Sequence, residues 1–133
     1  MLYPMAAMVL LIVLVGAVTV KARFASVKRG EVRAKYFRLM GGQEVPEFIT
    51  KSTRNFNNQF ELPVLFYVAC TLYISLGIDS DIAAVFAWVF VASRYVHSYV
   101  HLTYNHVLHR MLSFWVGFMC VIGLWVNLLI QQG

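Results

Sequence analysis

The chain has 133 residues, of which 60% are hydrophobic and 13% are charged, and its formal net charge is +5. This composition is too apolar for a soluble domain of the same length, so it indicates an integral membrane protein. The positive charge does not indicate nucleic-acid binding, because almost all of the basic residues lie between two hydrophobic runs and form no recognisable binding module.

The first predicted element is a transmembrane helix over residues 2–22. A cleaved signal sequence would carry positive charges before its apolar run, whereas Lys21 and Arg23 follow the run here. A helix needs about 20 apolar residues to cross the hydrocarbon core, and the segments 55–78, 82–103 and 109–130 also reach this length. We therefore predict a single domain over residues 1–133, an all-α membrane protein built as a four-transmembrane-helix bundle.

The connection between the first two predicted spans is strongly basic. It carries nine Lys and Arg residues from Lys21 to Arg54 against three glutamates, whereas the turn between the second and third spans carries Asp79 and Asp81. The positive-inside rule places the basic connection in the cytoplasm and both termini outside. This topology fits a bacterial inner membrane, although a protein of the endoplasmic reticulum would share it. Asp79 or Ser80 can cap the third span.

A polar stripe is predicted where the second span enters the membrane. Arg54, Asn58 and Glu61 are spaced i, i+4, i+7, and at about 100° per residue this spacing places them on one helix face. Charged groups in a membrane face the bundle interior and pair, so they indicate a functional site. The alternative is that these side chains only hold the helices together.

A second polar stripe follows the third span, and its members are Arg94, His97, His101 and Tyr104, continued by His106, His109 and Arg110. We predict no metal site, because neither a His-Glu-x-x-His pattern nor a cysteine pair accompanies the histidines. The spacing does not predict a role for His106 or His109. The two cysteines lie within apolar runs and are expected to be buried thiols.

Arg110 stands at the membrane surface where the fourth predicted span begins. One interpretation is an interfacial anchor whose side chain reaches the headgroups. The other is a cation that stabilises a thiolate or a carboxylate, because a nearby positive charge favours the ionised form. Spacing alone leaves both interpretations open.

Two segments resemble the MAPEG family, the membrane-associated proteins in eicosanoid and glutathione metabolism. The first comprises Pro46-Glu47-Phe48 and Arg54-Asn55-Phe56-Asn57-Asn58-Gln59-Phe60-Glu61-Leu62-Pro63, in which the R-x-x-x-N-x-x-E pattern and the proline after it are the match. The second begins at Arg94-Tyr95-Val96-His97 and ends at Arg110, and it is similar to the family's third helix and the loop leading to its catalytic arginine. Chain length and the basic first connection also agree, so the resemblance covers essentially the whole chain.

This resemblance implies a homotrimer of four-helix subunits that binds glutathione, as a cosubstrate, between neighbouring subunits on the cytoplasmic side. Lipophilic small-molecule substrates would arrive from the membrane lipid. The resemblance assigns the catalytic, thiolate-stabilising role to Arg110. It assigns glutathione binding to Arg54, Asn58, Glu61, Arg94, His97 and His101, of which His101 stands where eukaryotic relatives carry tyrosine.

The leading hypothesis is therefore a membrane glutathione transferase or peroxidase, in which the bound thiolate attacks an apolar electrophile or hydroperoxide. Two alternatives stay open. A non-catalytic member would bind a small thiol or a lipid, or would act as a scaffold. A small proton-coupled exporter would use Glu61 to carry the proton, but a fixed cation such as Arg54 nearby opposes proton loading.

Overall fold

The apolar runs of the sequence form helices in the computed structural model, which describes residues 1–133. The helices are α1 (Leu2–Lys28), α2 (Tyr36–Leu39), α3 (Glu47–Asn57), α4 (Leu62–Ser75), α5 (Asp81–Leu102) and α6 (Val107–Gln132). One turn of 3₁₀ helix, Asn58–Phe60, lies between α3 and α4. The chain contains no strand, so the predicted all-α class is confirmed.

Two of the helices, α1 and α6, are long and apolar enough to cross a membrane by themselves. They have 27 and 26 residues, and at 1.5 Å per residue each is roughly 40 Å long, more than the roughly 30 Å of a hydrocarbon core. Many of their leucine and valine side chains are exposed on the single chain. Such apolar outer faces suit contact with lipid.

The segment predicted as the second span, residues 55–78, is not one continuous helix. α3 ends at Asn57, and Glu61 has a φ of −100° and a ψ of −100° before α4 begins. Pro63 explains this break, because proline lacks an N–H and its ring clashes with the carbonyl four residues earlier in a continuous helix. Proline is tolerated in the first turn of a new helix, where Pro63 lies. The spacing predicted that the residues of the first polar stripe share one face of a continuous helix. This prediction is wrong, because the helix is interrupted between Asn58 and Glu61.

Other helix boundaries follow the local sequence. The Ser80 side chain caps α5 by accepting a hydrogen bond of 3.3 Å from the Ala83 N–H, as predicted. α5 ends at Leu102, so Tyr104 lies beyond the helix that carries the other members of the second stripe. α1 continues to Lys28, six residues past its predicted end at residue 22.

The core lies between α1, α4, α5 and α6, and it includes the stacked rings of Phe66 and Phe90, whose centroids are 4.4 Å apart. α5 and α6 approach closely at Gly117, where a Cβ atom would stand 2.8 Å from the Ser93 hydroxyl. At the end opposite the basic connection, the Tyr73 hydroxyl donates to Asn127 Oδ1 at 2.8 Å, and the Ser80 hydroxyl donates to the same atom at 3.1 Å. These bonds fix α4, the start of α5 and α6 to one another.

Candidate functional site

The polar residues of the predicted site gather where α3, α5 and the start of α6 meet. Arg94 on α5 donates from Nη2 to the backbone carbonyl of Asn58 at 2.9 Å. His97, one turn further along α5, lies 3.1 Å through its Nδ1 from the backbone carbonyl of Arg110. Two hydrogen bonds therefore join the turn after α3 to α5, and α5 to the first turn of α6.

Arg94 is a fully buried cation, with an exposed fraction of 0%. Its Nε and Nη1 atoms have no hydrogen-bond partner. Arg94 also forms no ion pair, and the single ion pair of the chain joins Arg29 to Glu31. Buried charges are normally paired, since desolvation of an unpaired charge is costly. The two unused donor atoms of Arg94 are therefore suited to an anionic or carbonyl group of a ligand.

His97 and His101 are both buried, and their ring centroids are 5.8 Å apart. When His97 Nδ1–H donates to the Arg110 carbonyl, Nε2 is left as an acceptor, and this atom has no partner. Both ring nitrogens of His101 are likewise buried without a partner. Because buried polar atoms are normally hydrogen-bonded, these nitrogens mark a place for a polar ligand. No group of three or more His, Cys, Asp or Glu side chains comes together that could hold a metal ion.

Arg110 is half-buried in the first turn of α6, and a neighbouring amide holds its guanidinium in place. Its Nη1 donates to Asn105 Oδ1 at 2.8 Å, whereas its buried Nε has no partner. Asn105 has a positive φ of 51°, a conformation that asparagine tolerates better than most residues. The loop between α5 and α6 thus positions the arginine that the resemblance identifies as catalytic.

Arg54 and Glu61 are exposed on the single chain, and their side chains form no hydrogen bond or ion pair. The alternative in which these two residues pair and hold the helices together is therefore not observed. Asn58 is half-buried, and its contact with Arg94 uses its backbone carbonyl. The side chains of these three residues are available to a ligand or to a neighbouring subunit.

Sequence reasoning missed a second set of polar residues beside the predicted ones. Gln59 Nε2 donates to the Asn55 carbonyl at 3.1 Å and to the Ser98 hydroxyl at 3.0 Å. Asn55 Nδ2 and Gln59 Oε1 are buried without partners. The i, i+4 spacing of Asn55 and Gln59 was the signal that could have paired these two residues, whereas nothing in the spacing brings Gln59 to Ser98.

The site is electrostatically positive. Arg54, Arg94, Arg110 and Lys51 surround it, and none of them forms an ion pair. Lys51 also donates to the backbone carbonyl of Thr103 at 2.9 Å, which ties α3 to the end of α5. These four cations outnumber Glu61, the carboxylate among the predicted site residues, and an excess of cations attracts anions, so the arrangement can bind carboxylates and stabilise a developing negative charge.

A comparison with protein-family models matches residues 1–130 to the MAPEG family. Comparisons with curated proteins and with solved structures gave no match. The matched range contains both motif segments and all six α-helices except the last residues of α6.

Proposed function

The chain belongs to the MAPEG family, and on this basis we propose that it is an integral membrane enzyme that uses glutathione as a transferase or peroxidase on lipophilic electrophiles. Glutathione-linked chemistry is general among the members of this family. The observation that supports this function most directly is the group of buried, unpaired polar atoms of Arg94, His97 and His101 beside the positioned guanidinium of Arg110.

The charges of the site match those of glutathione, which carries two carboxylates, one ammonium group and one thiol. Arg54 and Arg94 can bind the carboxylates through charge-assisted hydrogen bonds. Glu61 is the acidic residue of the stripe and suits the ammonium group. Asn58, His97 and His101 then offer polar atoms to the peptide groups.

Arg110 would stabilise the thiolate of the bound tripeptide. A free cysteine thiol has a pKa of about 8.5, so only a small share of it is ionised at neutral pH. A guanidinium beside the sulfur lowers the pKa of that thiol and raises the share of the nucleophilic thiolate. The thiolate then forms a carbon–sulfur bond with the electrophile and displaces its leaving group as an anion. With a hydroperoxide, the sulfur takes the outer oxygen as the O–O bond breaks, which releases an alcohol after protonation and leaves the sulfenic acid of glutathione. A second glutathione converts the sulfenic acid to the disulfide and water.

We infer that the functional unit is a homotrimer of four-span subunits, with α3 and α4 together crossing the membrane as the second span. Arg54 and Glu61 lie on the surface of the single chain, so a neighbouring subunit is needed to enclose the tripeptide. The basic connection favours a cytoplasmic position for this site, with both termini outside, under the positive-inside rule. A bacterial inner membrane fits this topology.

Calorimetry on the detergent-purified protein tests this function when it is combined with the ultraviolet absorbance of the bound thiolate. We expect the wild type to bind glutathione and to show thiolate absorbance at neutral pH. Arg110→Ala should keep binding but lose most of the thiolate signal, because the cation beside the sulfur is gone. Arg29→Ala, which removes an exposed arginine paired with Glu31, is the matched control and should behave as the wild type.

The remaining outcomes separate the alternatives. Binding and thiolate formation without turnover on any electrophile or hydroperoxide would indicate a non-catalytic thiol-binding protein. The absence of glutathione binding to the wild type would rule out the proposed chemistry, and proton-linked transport through Glu61 would then be the next hypothesis to test.

A further inference from the structure

The connection between α1 and α3 forms a basic cavity that includes none of the residues assigned to glutathione. Its volume is about 690 Å³. Three of its lining residues are cations and none is acidic. The members that matter here are Arg33, Lys35, Tyr36, Arg38, Leu39 and Gln43.

The three cations of this cavity are not neutralised within the chain. Arg33, Lys35 and Arg38 are all exposed, and none forms an ion pair, because the one ion pair in the structure joins Arg29 to Glu31 at 3.0 Å. Cations held together in this way repel one another. An anion placed between them relieves that repulsion.

Hydrogen bonds of Gln43 fix the shape of the cavity. Its Oε1 accepts from the Arg33 N–H at 3.0 Å, and its Nε2 donates to the backbone carbonyls of Glu31 at 3.2 Å and Glu44 at 3.3 Å. The chain turns sharply between these points, where Met40 has a φ of 53° and Gly42 a φ of 92°. The cations are therefore presented by an organised loop rather than by an extended linker.

One apolar residue in the cavity wall and another near the end of α1 indicate that the anion belongs to a lipid. Leu39, in the cavity wall, is 91% exposed, and Phe24, near the end of α1, is 74% exposed. About 20 residues of α1 cross the hydrocarbon core, so its last turns and the following connection lie at the membrane surface. At this depth, large apolar side chains insert at the boundary between headgroups and acyl chains, whereas a soluble anion gives them no partner.

We propose that this cavity binds the headgroup of an anionic phospholipid from the leaflet that it faces. Arg33, Lys35 and Arg38 contact the phosphate, and Leu39 inserts among the acyl chains. Basic segments next to a transmembrane helix are attracted to anionic lipids, and here the loop adds a defined site to that general attraction. The site does not depend on the proposed glutathione chemistry.

Native mass spectrometry of the full chain in detergent tests this site, with phosphatidylglycerol and phosphatidylcholine titrated separately. We expect the wild type to bind phosphatidylglycerol at least about tenfold more tightly than phosphatidylcholine, and Arg33→Gln/Lys35→Gln/Arg38→Gln to lose this preference. The matched control, Lys21→Gln/Lys28→Gln/Arg29→Gln, removes the same charge from the last turns of α1 and the residue after it, outside the cavity. It should keep the preference for phosphatidylglycerol. Leu39→Ser should weaken phosphatidylglycerol binding without any change of charge.

Three results would overturn the proposal. An equal loss in the control would show a diffuse surface attraction without a site. Displacement of phosphatidylglycerol by inorganic phosphate would show a site for a soluble phosphate, and full binding by Leu39→Ser would show that no acyl contact is made. Circular dichroism establishes whether each variant is folded. If the triple variant is unfolded, the single charge reversal Arg38→Glu is measured in its place. The lipid readout is independent of whether the protein binds glutathione.

Discussion

Asn105 combines a left-handed backbone, with a φ of 51°, and a side chain that accepts a hydrogen bond of 2.8 Å from Arg110. Hydrogen bonds to charged groups contribute about 1.5–3 kcal/mol. This bond orients the guanidinium and leaves its buried Nε atom without a partner in the chain. At the scale of single residues, the function proposed for Arg110 therefore depends on a neighbour that carries no charge.

Asn105→Gly tests this dependence, because glycine keeps the positive φ without strain and removes only the amide. We expect the thermal unfolding temperature in detergent to fall by several degrees, because one charge-assisted hydrogen bond is lost, and to fall further in Asn105→Ala. The ionised fraction of bound glutathione should fall several-fold, since Arg110 is no longer oriented. Asn105→Ala separates the two effects, because it loses the amide and also strains the backbone. An undiminished thiolate signal in Asn105→Gly would contradict a positioning role.

At the scale of helices, α5 and α6 pack closely because α6 has no side chain at Gly117. A Cβ atom there would stand 2.8 Å from the Ser93 hydroxyl, and its next neighbour, in the ring of Phe90, would be 3.5 Å away. Small residues at helix contacts allow backbones to approach in membrane proteins. The same two helices carry His97 and Arg110, so their separation also sets the geometry of the site.

Gly117→Ala should lower the free energy of unfolding in detergent by about 1–3 kcal/mol, the usual cost of overpacking a core. The second substitution Ser93→Ala removes the one atom that would clash, so the double variant should recover most of this loss. Ser93→Ala alone is the control, and it loses only the bond from its hydroxyl to the Phe90 carbonyl. If the double variant were as unstable as Gly117→Ala, the clash with Ser93 would not be the cause.

The parts of the fold that depend on local sequence were predictable. The apolar runs indicated α1 and α6, and Ser80 marked the start of α5, because composition and capping act within a few residues. The break before Pro63 was not predicted, since the spacing argument assumed a continuous helix through residues 55–78. The bonds from Gln59 to Ser98 and from Arg110 to Asn105 are tertiary or loop contacts, and no single-element period reveals them.

At the scale of the whole molecule, the two ends of the bundle differ in chemistry. One end carries the basic connection and the unpaired polar cluster, whereas Asp79 and Asp81 lie near the opposite end. That opposite end is fixed by the bonds from Tyr73 and Ser80 to Asn127. The polar end has unused hydrogen-bonding atoms and exposed charges, so ligands and neighbouring subunits are expected to act there.

The proposed trimer, with glutathione bound between subunits, predicts that glutathione strengthens subunit association. A ligand that binds only the assembled form stabilises it by about 2.7 kcal/mol at a concentration of 100 times its Kd. We expect analytical ultracentrifugation of the diluted protein in detergent to show fewer dissociated subunits at saturating glutathione, and a smaller effect of the same concentration on Arg54→Ala. Arg33→Ala, in the basic cavity, serves as the control. If glutathione raised the unfolding temperature but left subunit association unchanged, the glutathione site would lie within one chain and not between subunits.

The break at Glu61 also has a consequence for cooperativity. A helix interrupted in this way is two units, and α3, with 11 residues, is shorter than the roughly 12–15 residues at which an isolated helix is marginal. Its order therefore depends on contacts such as the bond of 3.1 Å from Arg23 Nη2 to the Thr53 hydroxyl, not on propagation from α4. The amides of α3 can open for a ligand while those of α4 remain protected from exchange in the apolar core.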